Sequence, residues 1–194
     1  MKIRKLVPLG LGVLLAVGLA IFQKSDVDAA SLATRVALNL SANLSGTAGL
    51  VSATAPLSIA RTIDLANGVA ASQADQVYTT TQSIAGAGNL TLDVKGALVD
   101  AFGAAFTPAK LKVVYIYSSP TNTTTLTLFG DAAHVPILNT VATTTTLLPG
   151  GLFLMVEPPL AGIAVTATTA DLVKITNAAG AAATVDVVLI GTSS

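Results

Sequence analysis

The chain has no cysteine, no tryptophan and a single histidine, and its 194 residues include only 4% aromatic and 10% charged side chains. Each scarcity removes a class of chemistry. Without cysteine there is no disulfide, no thiolate nucleophile and no cysteine-ligated metal, so a body of this length must be held by packing alone. A lone histidine, His134, cannot build a His-based metal site, and as a general base it would need a carboxylate beside it. Its neighbours Val135 and Pro136 place it in an expected surface loop. Low charge leaves a surface of Thr, Ser, Asn, Gln and Ala, where soluble proteins ordinarily carry about a quarter of their residues as charges. Such a surface suits repeated contact with other copies, because few charges must be desolvated.

The formal net charge is zero but unevenly divided. Lys2, Arg4, Lys5 and Lys24 lie at the amino end, which leaves six basic and ten acidic residues from position 25 onward, a balance of 6 − 10 = −4. Nucleic-acid binding needs clustered Lys and Arg to displace counterions, so this balance argues against it. Lys110 and Lys112 form the one tight basic pair of the body, and are expected on a solvated strand face.

The acids Asp64, Asp75, Asp93, Asp100, Asp131, Glu157, Asp171 and Asp186 are scattered, without the spacing of a calcium loop. They are expected to solvate turns and strand ends. No Gly-x-Ser-x-Gly elbow or Ser-x-x-Lys context appears, and the Gly86 to Gly88 stretch lacks the Lys-Ser/Thr ending of a phosphate loop. Asn39, Asn43, Asn89 and Asn122 each begin an Asn-x-Ser/Thr triplet, as chance allows in a chain so rich in Thr and Ser. A glycan hydrolase would require two facing carboxylates about 5 to 9.5 Å apart. Tyr78, Tyr115 or Tyr117 would then line the groove. No catalytic, cofactor-binding or metal-ligating residue is assigned, and no cofactor is expected.

The amino-terminal segment is the feature that speaks of location. Lys2, Arg4 and Lys5 precede an uncharged apolar stretch from Leu6 to Phe22, 17 residues that include Pro8, Gly10, Gly12 and Gly18. That length is at the short edge of a spanning helix. It also fits the apolar core of an export signal, with Val27-Asp28-Ala29 as an imperfect cleavage match. The polar run 23–28 separates core from cleavage point, which favours a retained anchor. Basic residues at the head keep that end inside while the body crosses. The expected division is therefore a hydrophobic membrane anchor or signal at 1–24, a linker at 25–33, and a β domain at 34–194.

Within the body, Val36, Leu38, Leu40, Ala42 and Leu44 alternate with polar or small residues, the period of a strand with one buried face. Residues 57–65 read as a second strand closed by the Asn67-Gly68 turn signal, and 45–56 as a loop or extended arm. Further strands are expected at 76–84, 89–94, 110–117, 124–129, 140–148, 151–156, 163–168, 171–176 and 184–190. One short helix is expected at 95–102, where Ala97, Leu98, Ala101 and Phe102 recur at helical spacing and Gly103 can close the end. Many short strands at close spacing indicate an all-β fold, a β-sandwich or jelly-roll-like body behind an N-terminal hydrophobic helix.

Several pieces of the body resemble a known group. They are Asp64-Leu65-Ala66-Asn67-Gly68, Gln73-Ala74-Asp75-Gln76-Val77-Tyr78, Leu90-Thr91-Leu92-Asp93 and Leu98-Val99-Asp100-Ala101-Phe102-Gly103-Ala104. In the same order follow Leu148-Pro149-Gly150-Gly151-Leu152-Phe153, Ala164-Val165-Thr166-Ala167, Ala170-Asp171-Leu172 and the ending Val185-Asp186-Val187-Val188-Leu189-Ile190-Gly191-Thr192-Ser193. Together these resemble a family of largely uncharacterised phage virion structural proteins, small and β-rich, encoded among head and tail genes. The resemblance implies a non-enzymatic capsid-surface, vertex, spike or decoration subunit, and brings no catalytic residues. Its implied partners are other coat proteins and further copies of the chain, with membrane lipid contacted through Leu6 to Phe22. Such proteins begin directly with the alternating strand, here 34–44, so the basic and apolar head is a departure that suits a lipid-containing particle or passage through a host membrane. The alternative is a secreted or anchored cell-surface β module, an adhesin, filament or matrix subunit, with strand exchange through residues 31–60.

Overall fold

A computed structural model describes residues 31–48, 51–138, 143–157 and 162–194. The expected anchor at 1–24 and most of the linker lie outside the described residues. The described part is all-β, with twelve strands and no helix. These are β1 Thr34–Ala48, β2 Val51–Asn67, β3 Gln73–Ala74, β4 Gln76–Ile84, β5 Asn89–Asp93, β6 Lys110–Ser118, β7 Leu126–Phe129, β8 Thr144–Leu147, β9 Leu152–Val156, β10 Ile163–Ala164, β11 Leu172–Asn177 and β12 Ala183–Thr192.

Two sheets build the body. One has the order β10-β6-β12-β4, with β9 also on the free side of β6, and the other has the order β5-β11-β7-β8. All pairings within them are antiparallel. The strands alternate as their sequences demand. In β12, Val185, Val187 and Leu189 are fully buried while Thr184, Asp186 and Val188 between them are half-buried. Their counterparts Val114 and Ile116 of β6 meet Leu126 and Leu128 of β7 and Val173 and Ile175 of β11 in one core between the sheets, a sandwich-like arrangement. Phe106 closes one part of that core against Tyr78, ring centres 5.7 Å apart, and Phe129 meets Phe153 edge-on at 5.4 Å.

A glycine marks the one irregularity in the central strand pair. Between Ile190 and Gly191 the β12–β6 register shifts, Ile190 facing Val113 and Gly191 facing Leu111. A β-carbon on Gly191 would lie 2.4 Å from the Lys110 carbonyl oxygen, so only glycine permits this approach. The bulge turns Lys112 out of the alternation, and it is buried instead of solvated as its strand position suggests.

The expected helix at 95–102 is absent. Asp93 accepts a hydrogen bond from the Lys95 amide through its side chain, and Asp100 accepts from the amides of both Phe102 and Ala104. Such local acceptors stabilise turns at the expense of helical bonding. The chain instead closes a small hairpin in which Val99 faces Ala105, and the Phe106 amide donates to the Leu98 carbonyl. Phe102, expected on a buried helical face, is 87% exposed at its tip.

Outside the body, β1 and β2 form a long antiparallel hairpin, with β3 added to β2 by a short parallel pairing. Opposed residues run from Thr34 with Leu65 to Ala48 with Val51, so of the loop or extended arm expected at 45–56 the arm is what forms.

Candidate interaction surface

The hairpin has two faces of opposite chemistry. Opposed residues share a face, and one face carries Val36/Ile63, Leu38/Arg61, Leu40/Ile59, Ala42/Leu57 and Leu44/Ala55. The other carries Arg35/Asp64, Ala37/Thr62, Asn39/Ala60, Ser41/Ser58 and Asn43/Pro56. On that polar face Arg35 Nε donates to Asp64 at 2.6 Å, and this hydrogen bond holds the Asp64 carboxyl below the usual carboxylate range.

At its base the apolar face is covered. Val36, Ile63 and Leu65 pack with Val113, Ile190, Val77, Leu154, Val156 and Val188, on the side of the larger sheet turned away from the main core. Past Val36 and Ile63 the cover ends. Residues 37–45 and 54–62 are exposed on both faces, Leu38 and Leu40 at 53% and Leu44 at 75%, with Leu57 and Ile59 also open. The expectation that the alternating strand from Thr34 buries one face therefore holds only for its first turn of side chains. The remainder is an amphipathic two-stranded arm.

Beside the arm base lies a second open apolar surface. A groove of about 370 Å³ is bounded by Val36 and Leu38 on one side and by Tyr115, Leu152, Leu154 and Val188 on the other. The cross-strand rows of this sheet face are Leu154–Tyr115–Val188–Thr79 and Leu152–Tyr117–Asp186–Thr81. Leu152 is half exposed, and Asp186 accepts a hydrogen bond from Thr81 at 2.6 Å.

The residues weighed for chemistry are dispersed to structural tasks. His134, expected on a surface loop, is buried beside Leu172, which it meets in a parallel bridge. Its Nδ1 lies 2.7 Å from the Asp131 carbonyl oxygen, which only accepts, so Nδ1 carries the hydrogen and Nε2 is left buried without a partner. Asp131 binds Lys174 at 3.3 Å and the Ala133 amide, and its carboxyl is held below the ordinary range chiefly by that amide. Tyr115 and Tyr117 share the outer face with Asp186, but Tyr78 is on the core side, so the three tyrosines do not line one groove. Among the described residues no three His, Cys, Asp or Glu side chains come together. Of the four Asn-x-Ser/Thr triplets, Asn39, Asn43 and Asn89 are exposed. Asn122 is buried, its amide committed to Ser118 and to both backbone groups of Thr184.

Sequence reasoning did not single out the open arm face. A signal was present: two alternating segments of opposite phase, 36–44 and 55–65, flanking a short run of small residues. The described residues include no helix long and apolar enough to cross a membrane. In comparisons with known proteins, no family model, no curated protein and no solved structure matches the chain.

Proposed function

We propose that the chain is a non-enzymatic structural subunit of a virion, a jelly-roll body carried on the particle surface, with residues 1–24 as its membrane anchor. Strand order is the observation that carries this reading. Taken in sequence, β4, β5, β6, β7, β8, β9, β11 and β12 cross between the two sheets at every step except β7 to β8. The orders β9-β6-β12-β4, with the two-residue β10 also on β6, and β5-β11-β7-β8 support reading the body as a double-sheet jelly roll. Jelly rolls build viral coats and also lectin domains.

Fold alone does not choose between these uses. Two further features favour the coat, a low-charge surface and an arm with an apolar face left open, and the resemblance to phage structural proteins belongs to the same proposal. The mechanism is geometric, with subunits meeting through Thr-rich and aliphatic faces at small desolvation cost. The same export-competent head and fold would serve a cell-surface module, and one experiment separates the two. Mass spectrometry of purified particles is expected to find the chain as a stoichiometric component, with peptides from within residues 1–24 retained. Recovery from the cell envelope and absence from particles would overturn the virion reading.

A further inference from the structure

We infer that the open apolar face of the β1–β2 arm is covered by a second copy of this chain. Its arm tip would seat on the outer sheet face of its neighbour, in the groove beside the neighbour's own arm base. This names the partner of the proposed structural role, and rests on that reading only for the crowding that brings copies together.

Physical chemistry demands a cover. A two-stranded hairpin is marginal in water by itself, and each large aliphatic side chain left in water forgoes the stabilisation of burial. Leu38, Leu40, Leu44, Leu57 and Ile59 all lie on one face of such a hairpin and are exposed. Contiguous open patches of this kind mark interaction sites.

The molecule supplies the matching surface. The arm face is continuous with a packed one, since its own base already rests on Val113, Val188 and Ile190 of the outer sheet face. Farther along that face, the Leu152–Tyr117–Asp186 row, with Tyr115 beside it, is left partly open and continues the aliphatic surface that receives the base.

Charge agrees as well. The apolar arm face carries one cation, Arg61, opposite Leu38. The outer sheet face carries an anion, Asp186, in the row beside Tyr117, with Thr81 as its side-chain partner. A neighbour's arm laid in the groove brings a cation of this kind to a half-buried carboxylate, which fixes register more than it adds affinity.

The absence of native cysteine makes the test clean. Leu40→Cys and Leu152→Cys would be prepared as separate full-length proteins in detergent, mixed and mildly oxidised. The inference predicts a mixed disulfide dimer in large excess over that given by Ser41→Cys, on the polar arm face, with Leu152→Cys. Equal yields from the two mixtures would overturn it. Sedimentation gives the second readout: wild type is expected as a discrete oligomer, the Leu40→Asp/Leu57→Asp variant as a monomer with unchanged circular dichroism. Wild-type monomers at assembly concentrations would also overturn it. Either failure would leave the particle mass-spectrometry result untouched, so the two readings fall separately.

Discussion

At the scale of single residues, the interior is held by a few polar groups that do what no apolar side chain could. Asn177 is 1% exposed, and its amide nitrogen donates to the carbonyls of Ile84, Ala85 and Ala181 while its oxygen accepts from the Thr124 hydroxyl at 2.6 Å. It ties the ends of β4, β11 and β12 together. Asn177→Ala strands these partners in the interior and is expected to cost about 3 kcal/mol, read as a lower urea midpoint with an unchanged slope. Lys112 works in the opposite direction. Burial, and secondarily the charge of Lys110, push its ammonium pKa down, so the folded state disfavours the charged form. Because the folded pKa lies below the unfolded one, this penalty is full at neutral pH and fades as pH climbs through the lysine range. Lys112→Met is therefore expected to raise the melting temperature at pH 7 by roughly 2–4 °C, about 1 kcal/mol, with the gain lost only as pH rises above the ordinary lysine pKa. An unchanged midpoint at pH 7 would show that the ammonium already reaches water. Neither role was legible in the sequence. The burial of Lys112 depends on a bulge opposite β12, and that of His134 on a bridge to Leu172, both contacts with residues far along the chain.

Elements show where periodicity is informative and where it fails. Strand β4 occupies the residues its alternation marks, 76–84, and β5, β6, β9 and β11 lie within a residue or two of expectation, because each has one face on the core. The expected strand at 163–168 shrinks to Ile163–Ala164, since the chain turns back at once through a bridge of Thr166 with Ala170. The expected helix yields to turns because Asp93 and Asp100 offer their carboxylates to nearby amides, a competition that hydrophobic spacing does not register. The arm is a different case. An alternating strand reads the same whether its apolar face is packed on its own body or waits for another, so the pattern at 36–44 predicted the face but not its exposure. One substitution tests an element directly. Gly191→Ala places a methyl group against the Lys110 carbonyl and Pro108, neither free to swing away. It is expected to cost about 1–3 kcal/mol by overpacking the β12–β6 bulge, with the denaturation midpoint as the measure.

For the whole molecule, composition and architecture point the same way. A chain with few charges and no cross-links buries one aliphatic core between two sheets, then extends a hairpin whose apolar face exceeds what its own body covers. The all-β class was legible from the many short alternating segments. The order of strands was not, because register between distant strands is set by tertiary packing and not by local pattern. Nor could the sequence reveal which part of the surface is open, since that depends on where the hairpin leaves the sheet. The proposed role as an assembled coat component is tested by electron cryomicroscopy of purified particles. The predicted result is a lattice or vertex array of jelly-roll subunits, each arm lying on the outer sheet face of a neighbour, with the head reaching a lipid layer. Particles whose density is fully accounted for by other chains, with no such subunit, would contradict it.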